Sequence, residues 1–179
     1  SLLAASESTL AFFVPPVAVN VSARQVTQGT IAADLQAALR KFQLAPTAID
    51  VELTESMLID SPDTYVAVLD EIAAAGVRIA IDDFGTGYSS LAYLRHMPVS
   101  ILKIDMRFVR DLPNNAEALA IVKSIIDMGH AINLRLVAEG VESAIQAECL
   151  QEAGCDLLQG YHIGMPMRIQ EIAPLLKAD

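Results

Sequence analysis

The most informative segment of this chain reads Ile81-Asp82-Asp83-Phe84-Gly85-Thr86-Gly87-Tyr88-Ser89-Ser90-Leu91. Two adjacent carboxylates end an apolar, strand-like run, and a loop with two glycines and several hydroxyl groups follows at once. A strand interior cannot hold two neighbouring anions cheaply, because each one loses its hydration. At the end of a strand the pair can reach solvent or a divalent cation. Asp and Gly also favour solvated turns, so the pair alone leaves both interpretations open.

The composition favours an α/β domain and argues against binding to a nucleic-acid polymer. The chain has 179 residues, 53% of them hydrophobic, and no Trp, so aliphatic side chains must fill the interior. We expect a single domain over residues 1–179, with buried parallel strands packed against helices. The formal net charge is −10 without any cluster of Lys or Arg, which is unsuited to a nucleic-acid backbone.

Cysteine, histidine and hydropathy patterns exclude further classes of protein. Cys149 and Cys155 are too few for a disulfide framework, and His96, His130 and His162 lack the spacing of zinc ligands. No apolar run is long enough to cross a membrane, and the first residues lack the pattern of a signal peptide. A cytoplasmic location is therefore expected, although a longer parent protein could be tethered to a membrane.

Short apolar runs alternate with segments of helical periodicity along the chain. Helices are predicted over 31–42, 61–75, 117–128 and 143–153, with a capping box at Ser143 and glycine caps at Gly76 and Gly154. Such alternation indicates stacked β-α units around a parallel sheet with right-handed crossovers. The predicted strands are Val17–Val21, Ile49–Leu53, Val77–Ile81, Ile101–Ile104, Arg135–Ala138 and Asp156–Leu158.

Polar side chains lie at or near the carboxyl end of all six predicted strands. In parallel β/α barrels the catalytic residues come from these strand ends. Chance would explain one or two such placements, so the full set favours a functional rim. Its members are Asn20, Ser22, Glu52, Thr54, Glu55, Asp82, Asp83, Lys103, Asp105, Glu139, Glu142 and Gln159.

The residue types at this rim indicate metal-assisted phosphoryl chemistry. Asn20, Glu52, Asp82 and Asp83 carry oxygen donors, which suit Mg²⁺ or Mn²⁺ rather than zinc or copper. Two neighbouring Asp residues offer one bridging and one terminal ligand, as two-metal sites require. Metal-assisted hydrolysis of a phosphodiester is the reaction class that uses all of these residues.

Three other rim residues have more than one interpretation. Lys103 could orient or acidify an attacking water, or it could be a buried lysine paired with Asp105 or Glu139. Glu139 could act as a base or hold the water in place. Glu55 is predicted to be a loop residue that supports the ligands.

Six segments together match a known pattern: Val19–Ser22, Glu52–Ser56, Asp82–Leu91, Leu102–Asp105, Val137–Glu142 and Gln159–Tyr161. In this order they resemble the EAL domain of bacterial cyclic-di-GMP phosphodiesterases, over nearly the whole chain and with a highly specific loop motif. The resemblance implies a (β/α)8 TIM-like barrel of EAL type. It also implies hydrolysis of cyclic di-GMP to linear pGpG with Mg²⁺ or Mn²⁺, inhibited by Ca²⁺.

The resemblance assigns metal ligands on this chain. Asn20, Glu52 and Asp82 would hold one ion, and Asp82 would bridge to a second ion held with Asp83. The family's signalling role, its cyclic-di-GMP substrate and its habit of forming homodimers are carried over as expectations for the same site.

The resemblance also assigns the remaining roles. Lys103 and Glu139 would position and activate the attacking water. Glu55 would hold the loop from Phe84 to Ser90, and Gln159 would complete the substrate site.

The sequence departs from the family in two places. The Glu-Ala-Leu tripeptide, which supplies a further metal-ligating Glu upstream of the Asn20 position, is absent, and so is the substrate-binding Arg after it. We therefore expect an N-terminally incomplete barrel of about six β/α units that is inactive alone for want of a metal ligand. His162–Met165 also differs from the aromatic-containing run usual after Gln-Gly-Tyr.

Alternatives to a phosphodiesterase domain remain. A degenerate domain could bind cyclic di-GMP or a partner protein without turnover, although the intact metal motifs favour an enzyme. An aldolase that forms a Schiff base on Lys103 is a third candidate, and the oxygen-donor set argues against it. An open sheet edge also favours pairing with a second copy.

Overall fold

A computed structural model describes residues 16–60, 62–85 and 94–175. The expectations that fall on 1–15, 61, 86–93 and 176–179 lie outside the described residues. The strands in these ranges are β1 (Val17–Asn20), β2 (Ile49–Thr54), β3 (Arg78–Phe84), β4 (Ile101–Ile104), β5 (Arg135–Ala138) and β6 (Leu157–Leu158).

In the described chain, helices follow β1, β2, β4, β5 and β6, and a 3₁₀ turn at Pro46–Ala48 precedes β2. None of these helices is both long enough and apolar enough to span a membrane. They are α1 (Ala23–Thr27), α2 (Ile31–Phe42), α3 (Glu55–Asp60), α4 (Pro62–Ala74), α5 (Met106–Val109), α6 (Ala116–Ala131), α7 (Ala144–Glu152) and α8 (Ile169–Leu175).

The six strands form one parallel sheet in the order β1-β2-β3-β4-β5-β6. Each strand pairs with the next one along the chain, as consecutive β/α units require. This arrangement confirms the predicted parallel α/β architecture. It also brings the carboxyl ends of all six strands to one edge.

One face of the sheet packs against the helices. Helices α4 and α6 contact β3 and β5, respectively, and they bury side chains such as Leu69, Ile72, Val122 and Ile126. The strand residues on this face are at most 1% exposed. They are Val51, Leu53, Ile79, Ile81, Leu102, Ile104, Leu136 and Ala138.

The opposite face, which we call the site face, is polar at both ends and apolar between them. A small cluster of Ala80, Ile101 and Val137 forms its middle layer. Asp50 and Arg78 lie at the amino end of the strands, where Arg78 Nε is 2.7 Å and Nη2 3.0 Å from the Asp50 carboxylate. Asp50 and Arg78 therefore bind each other at the amino end of the strands, and the candidate site residues lie at the carboxyl end.

Most local predictions are confirmed. Helix α2 and strands β4 and β5 have the predicted bounds. Ser143 forms the expected capping box, and Gly76 and Gly154 adopt left-handed conformations, with φ of 83° and 87°. The short helices α1, α3, α5 and α8 were not predicted, because one or two turns have too few residues to show a helical period.

Two predicted elements differ from the observed ones by more than one residue at an end, for physical reasons. The strand predicted over 77–81 continues to Phe84, because Asp82 and Asp83 stay within β3. The helix predicted over 117–128 runs from Ala116 to Ala131, because Asn115 caps it by accepting hydrogen bonds from two backbone N–H groups.

Asp156 ties helix α6 to the sheet. Its Oδ2 accepts a hydrogen bond of 2.7 Å from Leu136 N–H and lies 2.9 Å from His130 Nε2. Burial raises the pKa of Asp156, but these two hydrogen-bond partners outweigh it and hold the pKa below its ordinary value. A carboxyl group whose pKa is lower in the folded state stabilises the fold above its ordinary pKa. That stabilisation is lost as pH falls through the folded-state pKa.

We therefore expect Asp156→Asn to lower the free energy of unfolding at pH 7 by about 1 kcal/mol. The effect is small because solvent screens the partly exposed side chain. The difference from the wild type should shrink in acid, because the wild-type carboxylate is then protonated as well. Urea denaturation across the acid range measures both quantities. Asp127→Asn, at an exposed position of α6, is the matched control; equal effects of the two substitutions would contradict this role.

Candidate active site

Lys103 is the centre of a buried ionic cluster at the carboxyl end of the site face. Its Nζ lies 3.0 Å from Glu52 Oε1, 3.0 Å from Asp82 Oδ1 and 2.7 Å from Glu139 Oε1. The lysine side chain is 6% exposed. The three carboxylates come from β2, β3 and the residue after β5, so strand ends far apart in sequence converge here.

The strand register explains this convergence. Asn20 pairs with Glu52, Glu52 with Ala80, and Ala80 with Ile101. Register partners, and residues two apart on one strand, share a face of a sheet. Asp82 and Lys103, two residues after Ala80 and Ile101, therefore lie on the site face together with Asn20 and Glu52.

The carboxylates hold Lys103 in its protonated form. Burial lowers the pKa of Lys103, but hydrogen bonds to Glu139, Glu52 and Asp82 raise it well above its ordinary value. An ammonium with no lone pair cannot attack a carbonyl, which argues against the Schiff-base alternative. The lysine pairs with Glu139, one of the two predicted partners. It does not pair with Asp105, which binds Arg107 instead.

Asp82 and Asp83 occupy a bulge of β3. The register between β3 and β4 shifts between Ile81 and Phe84, and Asp83 has a left-handed φ of 55°. A bulge re-aims the side chain of the extra residue. Both aspartates can therefore reach the same rim, where Asp83 N–H donates a hydrogen bond of 3.1 Å to Asp82 Oδ1.

Negative charge at this rim exceeds positive charge. Burial, followed by the charges of Asp82 and Asp105, raises the pKa of Asp83. Burial also raises the pKa of Glu139, against the lowering effect of Lys103. The raised pKa values of Asp83 and Glu139 are typical of neighbouring carboxylates whose negative charge a further cation would stabilise.

The donor set fits a hard divalent cation. One carboxylate oxygen from each of Asp82, Asp83 and Glu139 lies within 4.8 Å of the others. Ions such as Mg²⁺ and Mn²⁺ take oxygen ligands of this kind. Among the described residues, this is the group of carboxylates that could hold a metal ion.

The other predicted site residues border this cluster. Asn20 lies beside Glu52 at the end of β1. Gln159 follows β6, and its backbone N–H donates to Ala138 while its carbonyl accepts from Val141. Gln159 also lines a cavity of about 460 Å³ that Asp83 and Glu139 border.

Glu55 is the first residue of helix α3, not a loop residue as predicted, because the helix begins directly after β2. It is 1% exposed, and its Oε2 accepts a hydrogen bond of 2.8 Å from Gly85 N–H. Gly85 has a φ of 96°, and an added Cβ would lie 2.6 Å from the Phe108 ring. Glu55 therefore fixes the backbone just after Asp83; residues 86–90 of the predicted loop contact lie outside the described residues.

Glu55→Ala is expected to lower the free energy of unfolding by about 1–3 kcal/mol, because it leaves the Gly85 N–H group without this acceptor. We also expect weaker binding of Mn²⁺, because Asp83 lies on the freed segment. Urea denaturation and metal titration measure the two effects. Glu55→Gln keeps an acceptor oxygen and should be milder; a Glu55→Ala variant with wild-type metal affinity would show that the contact does not hold Asp83 in place.

The cavity is also lined by several residues that were not predicted to bind a metal or the substrate. Asp105 was predicted as a rim residue and a possible partner of Lys103, and Glu142 as a rim residue only; their positions at strand ends were the available signal. Nothing in the sequence pattern singled out Arg107, because its role depends on where α5 begins. These additional lining residues are Asp105, Met106, Arg107, Gly140, Glu142, Gly160 and Tyr161.

Comparison with known proteins gives a consistent family match. The EAL domain model matches residues 3–166. The bifunctional diguanylate cyclase/cyclic di-GMP phosphodiesterase MucR of Pseudomonas aeruginosa is 42% identical over 156 residues, which make up 87% of this chain and 23% of MucR. The chain thus spans about a quarter of the length of that relative.

Solved structures similar to this fold include the following three. The PaMucR phosphodiesterase in complex with cyclic di-GMP has a TM-score of 0.84 and 41% identity, over 88% of this chain and 64% of that one. The EAL domain of Mycobacterium smegmatis DcpA has a TM-score of 0.85 and 37% identity, over 90% and 72%. Klebsiella pneumoniae BlrP1 with manganese and cyclic di-GMP has a TM-score of 0.76 and 32% identity, over 82% and 38%.

Proposed function

This chain belongs to the EAL domain family, and from that premise we propose that its site binds cyclic di-GMP and hydrolyses it to linear pGpG. The main support is the group of carboxylate oxygens from Asp82, Asp83 and Glu139 within 4.8 Å of one another. The similar MucR is named as a cyclic di-GMP phosphodiesterase, and its structure holds cyclic di-GMP.

We propose that Asn20, Glu52 and Asp82 hold one Mg²⁺ or Mn²⁺ ion and that Asp82 and Asp83 hold a second. When bound, such ions stabilise the negative charge that develops on the phosphoryl oxygens. The manganese in the similar BlrP1 structure supports this choice of metal. Ca²⁺ is expected to inhibit, because it prefers more ligands at longer distances than Mg²⁺.

Lys103 and Glu139 have complementary roles in this proposal. Lys103 Nζ contacts three carboxylates, so it fixes their oxygens and offsets part of their charge. Lys103 Nζ contacts Oε1 of Glu139, and in this proposal the other carboxylate oxygen, Oε2, accepts the proton of the attacking water. Its raised pKa makes Glu139 a better proton acceptor than an ordinary carboxylate. Gln159, on the cavity wall, is proposed to contact the substrate.

The experiment compares the 179-residue chain alone with the same chain joined to a segment that carries Glu-Ala-Leu. Calorimetry measures binding of cyclic di-GMP, and anion-exchange chromatography detects pGpG. We expect binding by both forms and product only from the joined form with Mg²⁺ or Mn²⁺. Absence of binding by both forms would refute the proposal, and rapid turnover by the chain alone would refute the proposed ligand count.

A second candidate is a receptor that binds cyclic di-GMP without cleaving it. The observation in its favour is that the Lys103 ammonium already contacts three of the site carboxylates and offsets part of their charge. Binding without pGpG in both forms, at any concentration of Mg²⁺ or Mn²⁺, would support the receptor and overturn hydrolysis.

A further inference from the structure

Arg107 forms one wall of the cavity beside the carboxylate cluster. It lies in the first turn of α5, and its side chain is 63% exposed. Asp105 holds it in place: Arg107 Nε lies 3.0 Å from Oδ1 and Nη2 lies 3.4 Å from Oδ2, while the Arg107 backbone N–H donates to Oδ1 at 2.7 Å. The guanidinium is thus oriented before any ligand arrives.

The two cations of the site differ in what they can offer a ligand. Lys103 has three donors, and three carboxylates contact its Nζ. A guanidinium has five N–H groups, and Asp105 receives two of those of Arg107. Three N–H groups therefore remain on the side chain that lines the cavity.

The surrounding charges favour a neutral acceptor over an anionic one. Asp83, Glu139 and Glu142 line the same cavity, and Asp105 already balances the charge of Arg107. A phosphate there would meet more negative than positive charge. A base edge with two acceptors matches the free end of a guanidinium without this penalty.

We propose that Arg107 recognises a guanine base of the substrate, an inference that rests on the function proposed above. Guanine presents the acceptors O6 and N7 on one edge, which is the pattern that arginine binds through two hydrogen bonds. Adenine presents a donor amino group at the position of O6, so two donors would face each other. Met106 and Tyr161, both exposed and both on the cavity wall, supply apolar surface for the base.

The test measures dissociation constants of cyclic di-GMP and cyclic di-AMP, by competition, for the wild type, Arg107→Met and Arg107→Lys in the full 179-residue chain. We expect Arg107→Met to weaken cyclic di-GMP binding about tenfold to a hundredfold and to leave cyclic di-AMP binding nearly unchanged. Arg107→Lys should rescue little, because a point charge lacks the planar fork. Arg110→Met, at an exposed position one helical turn away, should bind both ligands like the wild type.

The comparison of the two dinucleotides distinguishes a base contact from a phosphate contact. Cyclic di-GMP and cyclic di-AMP share their phosphates and differ in their bases, so a lost phosphate contact weakens both ligands alike, whereas a lost guanine contact weakens cyclic di-GMP alone. Equal weakening of both dinucleotides would overturn guanine recognition. Absence of binding to either dinucleotide by the wild-type chain, both alone and joined to the segment that carries Glu-Ala-Leu, would refute the proposed function itself. Wild-type chain that binds both with equal affinity would refute only the role of Arg107.

Discussion

Lys103→Met is expected to lower the free energy of unfolding by about 3–5 kcal/mol at pH 7. The substitution leaves Glu52, Asp82 and Glu139 in one partly buried space without the ammonium that contacts all three. Removing one partner of a buried ion pair costs more than the pair contributes, because the remaining charge keeps its desolvation penalty. Here three carboxylates would carry that penalty, and they would also repel one another.

The loss should depend on pH in a defined direction. Burial already raises the pKa of Glu139, and Lys103 opposes that rise, so the variant should hold the Glu139 proton more tightly. A carboxyl group whose folded-state pKa is raised favours the folded state below its ordinary pKa, and this contribution is lost as pH rises. The Lys103→Met variant should therefore approach wild-type stability in acid and fall away from it towards neutral pH.

Lys103 itself gives no pH dependence in that range. Its pKa is raised above the ordinary 10.5, so its contribution is complete below that value and is lost only as pH rises through the folded-state pKa. Urea denaturation at several pH values measures the wild type and the variant. Lys123→Met, at an exposed position of α6, is the control. A Lys103→Met variant as stable as this control at pH 7 would contradict the ionic account of the cluster.

The sequence predicted the rim because strand order places chemistry there. Glu52, Asp82 and Lys103 each lie near the end of an apolar run, and parallel pairing of those runs brings them within 3.0 Å contacts. Successive side chains of a strand point to opposite faces of the sheet, so which residues of each strand share a face could be predicted as well. A helix as short as α3 has too few residues to show a helical period, so Glu55 was predicted to lie on a loop.

Features that depend on contacts between distant segments could not be predicted. The left-handed φ of Asp83 arises in a bulge against β4, and a bulge is defined by its partner strand. The partners of Lys103 also depended on packing, because the sequence allowed Asp105 or Glu139. Arg107 captures Asp105 from within α5, a pairing between neighbours that no pattern of apolar residues indicates.

Asp82→Asn should separate stability from function at this site. The carboxamide keeps an acceptor oxygen for Asp83 N–H, and Lys103 keeps Glu52 and Glu139. We therefore expect the free energy of unfolding without metal to change by no more than about 1 kcal/mol. The substitution removes the attraction of Asp82 to Lys103, but it also removes the repulsion between Asp82 and the neighbouring carboxylates. Affinity for Mn²⁺ should fall by about a hundredfold or more, because the proposed bridging ligand is lost.

Asp50→Asn is the matched control for Asp82→Asn, because both residues lie on the site face but at opposite ends of the strands. Asp50 binds Arg78 through two hydrogen bonds of 2.7 and 3.0 Å, and its loss should cost about 1–3 kcal/mol of stability without changing Mn²⁺ affinity. Calorimetric Mn²⁺ titration and urea denaturation of both variants test whether Asp82→Asn loses metal affinity while Asp50→Asn loses stability. An Asp82→Asn variant that lost stability but bound Mn²⁺ normally would show that this carboxylate serves the fold. A variant that lost Mn²⁺ affinity and kept its stability would show that this carboxylate serves cation binding. The carboxyl end of the strands would then hold more negative charge than Lys103 alone requires, because a further cation binds there.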